Sequence, residues 1–278
     1  MGRVYACVGR YATTPYTIKK AWVRVYCAEE LAFYICNNAS LLEEDFFCPA
    51  LLEWLEEECD LPLTAKRIRS QKRVDDRLET LVRTYLQDIR FVSPQEMDEL
   101  EKLLQANRSM SGVQKCKIQG DYFLQNKKIV LAQECYQSLL EQLDPETDRE
   151  MLASVYHNYG VAFAKLFLYE QAGKYFKTAY DLEEKEEHMV AYLATLRITM
   201  SEPEYLKKIA TIPGAYGASG ILEERLESAE ADWKKSDEYM KIGGMERLKE
   251  EGGIADYYET MNFQLNVFKE EYRSMMAN

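Results

Sequence analysis

Two histidines, His157 and His188, are the whole supply of imidazole in this chain. Neither sits in H-E-x-x-H or E-x-x-H, and no two cysteines form C-x-x-C, the spacings that place two metal donors on one helix face or one turn. A Ser-His-Asp or Cys-His nucleophile would draw its base from these two residues alone, and no elbow motif surrounds a serine or cysteine. Both histidines therefore read as partly exposed or ligand-facing. No metal, cofactor or catalytic residue is expected. The carboxylates Glu43, Glu44, Asp45, Glu56, Glu57 and Glu58 read mostly as surface charge runs; an enzyme with its site near them is the weakest of three functional readings.

Two further segments invite chemistry. The stretch GAYGASG, 214–220, ahead of a helix near Ile221, has the glycines of a phosphate cradle at a helix N-terminus. It lacks the lysine of G-x-x-x-x-G-K-[ST] and reads as a flexible joint. The run KRIRSQKR, 66–73, lies in a window (61–77) with six basic residues against two acidic. It reads as a solvated helix face or linker, with docking of an acidic peptide or another subunit as the alternative.

Composition narrows the classes. Of 278 residues, 47% are hydrophobic and 29% charged, ordinary for a globular protein. The net charge of −12 argues against nucleic acid, whose phosphates need clustered Lys and Arg. No apolar run approaches the roughly 20 residues that span a bilayer, and the start, MGRVYACVGRY, has neither the pattern of a signal peptide nor that of a myristoylation site. The seven cysteines (Cys7, Cys27, Cys36, Cys48, Cys59, Cys116, Cys135) are an odd set without paired spacing, which suits reduced, mostly buried thiols. A cytoplasmic protein is the simplest reading.

The elements that must position these residues are mainly helical. Glycine and proline are scarce, at 13 and 7, and fall between periodic segments. The exception is the beginning, where RVYACV and AWVRVYC flank a Thr-Thr-Pro turn signal and predict a short hairpin. Helices follow near EELAFYICNNA, PALLEWLEEEC and VDDRLETLVRTYLQDI. Ser93, Pro94 and Glu96 form a capping box, after which helices are predicted at about 94–107, 111–125, 129–143, 148–167, 169–182, 186–200 and 202–211, the last boxed by Ser201 and Glu204. Two amphipathic stretches end the chain, Leu222 to Met240 and Ile254 to Met275, each with a mean period of 3.5. Joined through GGMERLKEEGG, they suit an antiparallel helical hairpin. The expected division is an N-terminal, mostly helical module (1–92), helical repeats (93–212) and a C-terminal hairpin or cap (213–278).

Self-similarity explains one anomaly. Gly160 sits inside the apolar run YHNYGVAFAK, where glycine costs about 1 kcal/mol against alanine. Phe163 follows it at +3, Ala172 at +12, Phe176 at +16 and Ala179 at +19; from Gly120 the same offsets hold Phe123, Ala132, Tyr136 and Leu139. The glycine and the alanine allow two helices to cross closely, and the aromatics fill the space to the next pair.

These residues resemble the tetratricopeptide repeat, whose pattern W-x₂-L-G-x₂-Y…A-x₃-F…P stands here as Tyr156-x₂-Tyr159-Gly160-x₂-Phe163, then Ala172-x₃-Phe176. The glycines are 40 apart rather than the family's 34, and a third copy with Ala194 at the glycine site is degenerate. The resemblance implies a short α-α solenoid that binds a peptide or helix of a partner protein on the concave face of the first helices. Carried over by position, that face presents Gln114, Lys117, Asp121 and Gln125, then Ser154, His157, Asn158, Val161 and Lys165, then His188 and Tyr192. Lys117 and Asn158 match a carboxylate clamp found in one sub-family; Asp121, His188 and Tyr192 replace its other members. The resemblance thus implies a non-enzymatic interaction protein, with the C-terminal hairpin as a second contact surface or a homodimerisation element. A peptide-sensing regulator is the alternative.

Overall fold

The computed structural model describes residues 8–276. The chain divides into two compact units, one ending at Gln119 and the next starting at Gly120. Among the described residues, two short strands are joined by fourteen α-helices, and no helix is long and apolar enough to cross a membrane.

In the first unit, β1 (Tyr16–Ile18) pairs antiparallel with β2 (Val23–Val25), Tyr16 opposite Val25. The hairpin therefore turns at 19–22, not at Thr-Thr-Pro. Thr13 and Thr14 are tied elsewhere: both backbone N–H groups and the Thr13 hydroxyl donate to Glu58 Oε2, the hydroxyl at 2.9 Å. These hydrogen bonds to the charged form hold the Glu58 carboxyl below its usual range. Most of the expected first strand, RVYACV, lies outside the described residues.

Helices α1 (Ala28–Asn37), α2 (Pro49–Glu57), α3 (Pro62–Val74), α4 (Leu78–Ile89) and α5 (Pro94–Arg108) follow, then α6 (Gly112–Gln125), inside which the division of the chain falls. Leu31, Ile35, Phe47, Leu51, Leu55, Ile68, Leu81 and Tyr85 form the core of the unit, and the buried Tyr85 hydroxyl donates to Ala28 O at 2.7 Å. The basic run lies on α3, which buries Ile68 and Ala65. Its charges are largely engaged: Arg67 pairs with Asp88, Arg69 with Glu56, and Lys72 Nζ donates to Phe47 O. At the start of α5, Glu96 N donates to Ser93 Oγ and Ser93 N to Glu96 Oε2.

In the second unit, the end of α6 is followed by α7 (Ile129–Gln142), α8 (Arg149–Lys165), α9 (Tyr169–Leu182), α10 (Glu186–Thr199), α11 (Glu202–Ile209), α12 (Ala215–Trp233), α13 (Asp237–Glu250) and α14 (Ile254–Met276). From α7 to α10 each helix packs on the next in chain order, an arrangement consistent with an α-solenoid. The turns into α7 and α9 are copies of each other. Lys127 and Phe167, 40 residues apart, both take left-handed backbone (φ +58° and +63°). Lys128 N reaches Phe123 O at 2.9 Å, and Leu168 N reaches Phe163 O at 3.0 Å, so each turn closes the preceding helix. After α10 the copying stops, because Met200 is extended (φ −117°, ψ 155°).

The glycines act as the sequence predicts. A Cβ on Gly120 would lie 2.9 Å from Tyr136 Cε1, and one on Gly160 would lie 2.8 Å from Phe176 Cδ1. Ala132, Ala172 and Ala179 are fully buried. Tyr156, Tyr159, Phe163 and Tyr175 form a ring cluster between α8 and α9, with Tyr159 and Tyr175 centroids 4.6 Å apart.

Two expectations change. GAYGASG is not a joint: only Gly214 (φ +77°) is non-helical, and α12 begins at Ala215 because Ala215 and Ala218 bury against Leu193 and Tyr205 of the α10–α11 core. The C-terminal part is three helices rather than a two-helix hairpin. Ser236 Oγ accepts from Tyr239 N and opens α13, Gly243 and Gly244 lie inside α13, and the turn into α14 is at Gly252 (φ +86°).

Candidate functional site

Four of the eleven residues expected on the concave face bond to one another. Asp121 lies on the last turns of α6 and Asn158 on α8. Asn158 Nδ2 donates to Asp121 Oδ1 at 2.7 Å, and the same oxygen accepts the Tyr136 hydroxyl at 2.8 Å. One carboxylate thus joins three consecutive helices. Burial, with the negative charge of Asp121, pushes the Tyr136 phenol well above its ordinary value, so it keeps its proton and donates it to Asp121.

One step along the stack, His157 on α8 meets His188 on α10. Their Nδ1 atoms are 2.9 Å apart and the ring centroids 4.9 Å apart. A hydrogen bond of this kind requires one Nδ1 to donate and the other to accept, so the two rings cannot both carry the second proton without losing it. Phe176 covers His157 (centroids 5.2 Å), and Glu183 Oε2 lies 3.8 Å from His188 Nε2. Burial is the main reason both imidazoles are held below their ordinary value; His188 adds to it at His157, while Glu183 opposes it at His188. The pair is neutral near pH 7. Among the described residues, no group of three or more His, Cys, Asp and Glu side chains is placed to hold a metal.

The remaining expected residues divide by position. Gln114 caps α6: its Oε1 accepts from Ser111 N at 2.9 Å while Ser111 Oγ accepts from Gln114 N. Lys117, half-buried, lies one turn further along α6, in the first unit. In the second unit Gln125 and Lys165 are exposed, and Ser154 and Val161 are half-buried along α8. Tyr192 points elsewhere. It lines a cleft of about 520 Å³ between α9 and α10, with Tyr169, Lys174, Lys177 and Thr199.

That cleft escaped the sequence reading. It depends on Gly173, where a Cβ would lie 2.7 Å from Thr195 Oγ1, so the two helices approach closely at its floor. A third mid-helix glycine, directly after Ala172, was the available signal. Glu183 was missed as well, because nothing in its spacing links it to His188. Comparison of the chain with family models, with curated proteins and with solved structures finds no match.

Proposed function

We propose that the chain is a non-enzymatic, cytoplasmic interaction protein of tetratricopeptide-like build, and that it holds a peptide or helix of a partner protein on the face shared by the last turns of α6 (from Gly120), α8 and α10. One observation carries this reading. The Asp121–Asn158 and His157–His188 bonds tie consecutive first helices side by side, which makes a preformed ribbed face instead of separate helices. Beside these bonds, Ser154, Val161, Lys165 and Gln125 are not fully buried, and they offer a mixed apolar and polar surface of the kind a short segment docks on.

The test uses a random peptide library displayed on phage and panned against the full chain. Peptides enriched on the wild type should bind at least about tenfold more weakly to Val161→Glu and to Lys165→Glu, the equivalent of about 1.4 kcal/mol. Lys174→Glu in the α9–α10 cleft should leave their binding unchanged. No enrichment, or loss confined to Lys174→Glu, would overturn the assignment of the face.

A further inference from the structure

The last two helices present a different surface. No residue of α13 or α14 is buried, although α14 packs on α13 and touches the turns beside α7 and α9 through Lys127–Glu271 (2.5 Å) and the Phe167–Tyr272 rings. Its apolar stripe is wide, and the monomer covers one side of it. Tyr257, Met261 and Met275 are half-buried on that side. Ile254, Tyr258, Leu265, Phe268 and Met276 stay 44–58% exposed, and Tyr272 keeps 40% exposure beside its contact with Phe167, a contiguous apolar surface of a size monomers rarely leave open.

We infer that this stripe pairs with the same stripe of a second copy, α14 against α14 and antiparallel. The spacing is self-complementary. Ile254, Tyr258, Leu265, Tyr272 and Met276 are separated by 4, 7, 7 and 4 residues. A two-fold axis at Leu265 therefore sets Leu265 against Leu265, Tyr258 against Tyr272 and Ile254 against Met276. This is the isologous contact that closed dimers use, on the heptad spacing that keeps two seams in register.

The area is sufficient. Aromatic side chains offer roughly 150–250 Å² each and the aliphatic ones less, so six that are about half exposed give about 500 Å² per copy. The pair then covers about 1,000 Å² of apolar surface before any polar rim is added, which reaches the lower bound of about 1,000 Å² for a specific contact. A lipid surface fits less well. Residues 237–276 carry nine acidic against five basic side chains, a net of −4, which an anionic membrane repels.

The experiment is sedimentation equilibrium of the full chain over a dilution series. The wild type should show twice the chain mass. Leu265→Glu puts two carboxylates at the axis and should raise the dimer dissociation constant roughly a hundredfold or more, with helical circular dichroism retained because the site is exposed. Ser274→Glu, at an exposed position about two and a half turns from Leu265 and so on the far side of α14, should leave the constant unchanged. Orientation is read by mixing Tyr258→Cys with Tyr272→Cys: antiparallel pairing crosslinks the mixture more strongly than either alone. A monomer at all concentrations, equal dimerisation by Leu265→Glu, or flotation of a monomer with phosphatidylserine vesicles would each overturn the inference. The peptide-binding face lies on other helices, so these results are independent of it.

Discussion

Replacing Gly160 by alanine opposes a helix-propensity gain to a packing loss, and the structure sets the size of the loss. Alanine in a helix interior is favoured over glycine by about 1 kcal/mol. The added methyl would stand 2.8 Å from both Cδ1 and Cε1 of Phe176 and 3.2 Å from Ala172 O, where carbon pairs sit comfortably only at about 3.5–4.0 Å. Phe176 is 4% exposed and packs on His157, so its ring cannot swing clear, and the backbone carbonyl of Ala172 cannot move without shifting α9. Overpacking of this kind costs about 1–3 kcal/mol, here near the upper end. The net expectation is a loss of about 1–2 kcal/mol, read as a lower urea midpoint at constant m-value. Gly220→Ala is the control. Nothing lies within 4 Å of its added Cβ on α12, so it should stabilise by about 0.5–1 kcal/mol. Phe176→Leu should relieve part of the Gly160→Ala cost in the double mutant. If Gly160→Ala raises the midpoint as Gly220→Ala does, the close crossing of α8 and α9 is wrong.

Other perturbations address the polar contacts. Asp121→Ala removes the acceptor of two hydrogen bonds and strands the buried Tyr136 hydroxyl, a cost of about 2–3 kcal/mol, whereas Asp121→Asn keeps an acceptor and should cost less; equal urea midpoints for wild type and Asp121→Ala would refute the link. His157 and His188 are both held below 6.5, so the unfolded chain takes up their protons first. The stability this contributes is complete above pH 6.5 and is lost as pH falls from there toward the depressed folded values. The melting temperature of His188→Gln should therefore fall less over that window than that of the wild type, and parallel falls would exclude the pair as the cause. Burial pushes the thiols of Cys36 and Cys59 up to about 11 and about 12. Iodoacetamide applied near the ordinary thiol pKa of about 8.5 should modify the half-buried Cys36 slowly and leave the buried Cys59 unmodified in the folded protein, and alkylate both after denaturation. Alkylation of Cys59 at the unfolded rate in native protein, seen by mass spectrometry, would contradict its burial.

Helix boundaries were legible wherever a local signal existed. The capping boxes at Ser93 and Ser201 are present, and α7, α9 and α10 fall within a residue of their predicted limits, because caps, turns and apolar period act over only a few residues. The errors came where a local signal met a longer-range competitor. Thr-Thr-Pro looked like a turn until Glu58, some 45 residues away, bound it. The glycines of GAYGASG looked like a joint, yet burial of Ala215 and Ala218 made the segment helical. For the candidate site, the repeat resemblance placed Asp121, His157, Asn158 and His188 on first helices; their mutual bonds lay outside its reach.

Spacing along the chain alone set the order of helices from α4 to α11, the 40-residue offset and the need for a small residue at Gly120 and Gly160. Tertiary structure decided what the polar side chains do. Whether Asn158 faces a ligand or bonds Asp121 depends on how far apart α6 and α8 stand, and a few tenths of an ångström separate a 2.7 Å hydrogen bond from none. The same holds for α14, whose apolar stripe is written in the sequence while the exposure of half of it is a property of the packed molecule alone.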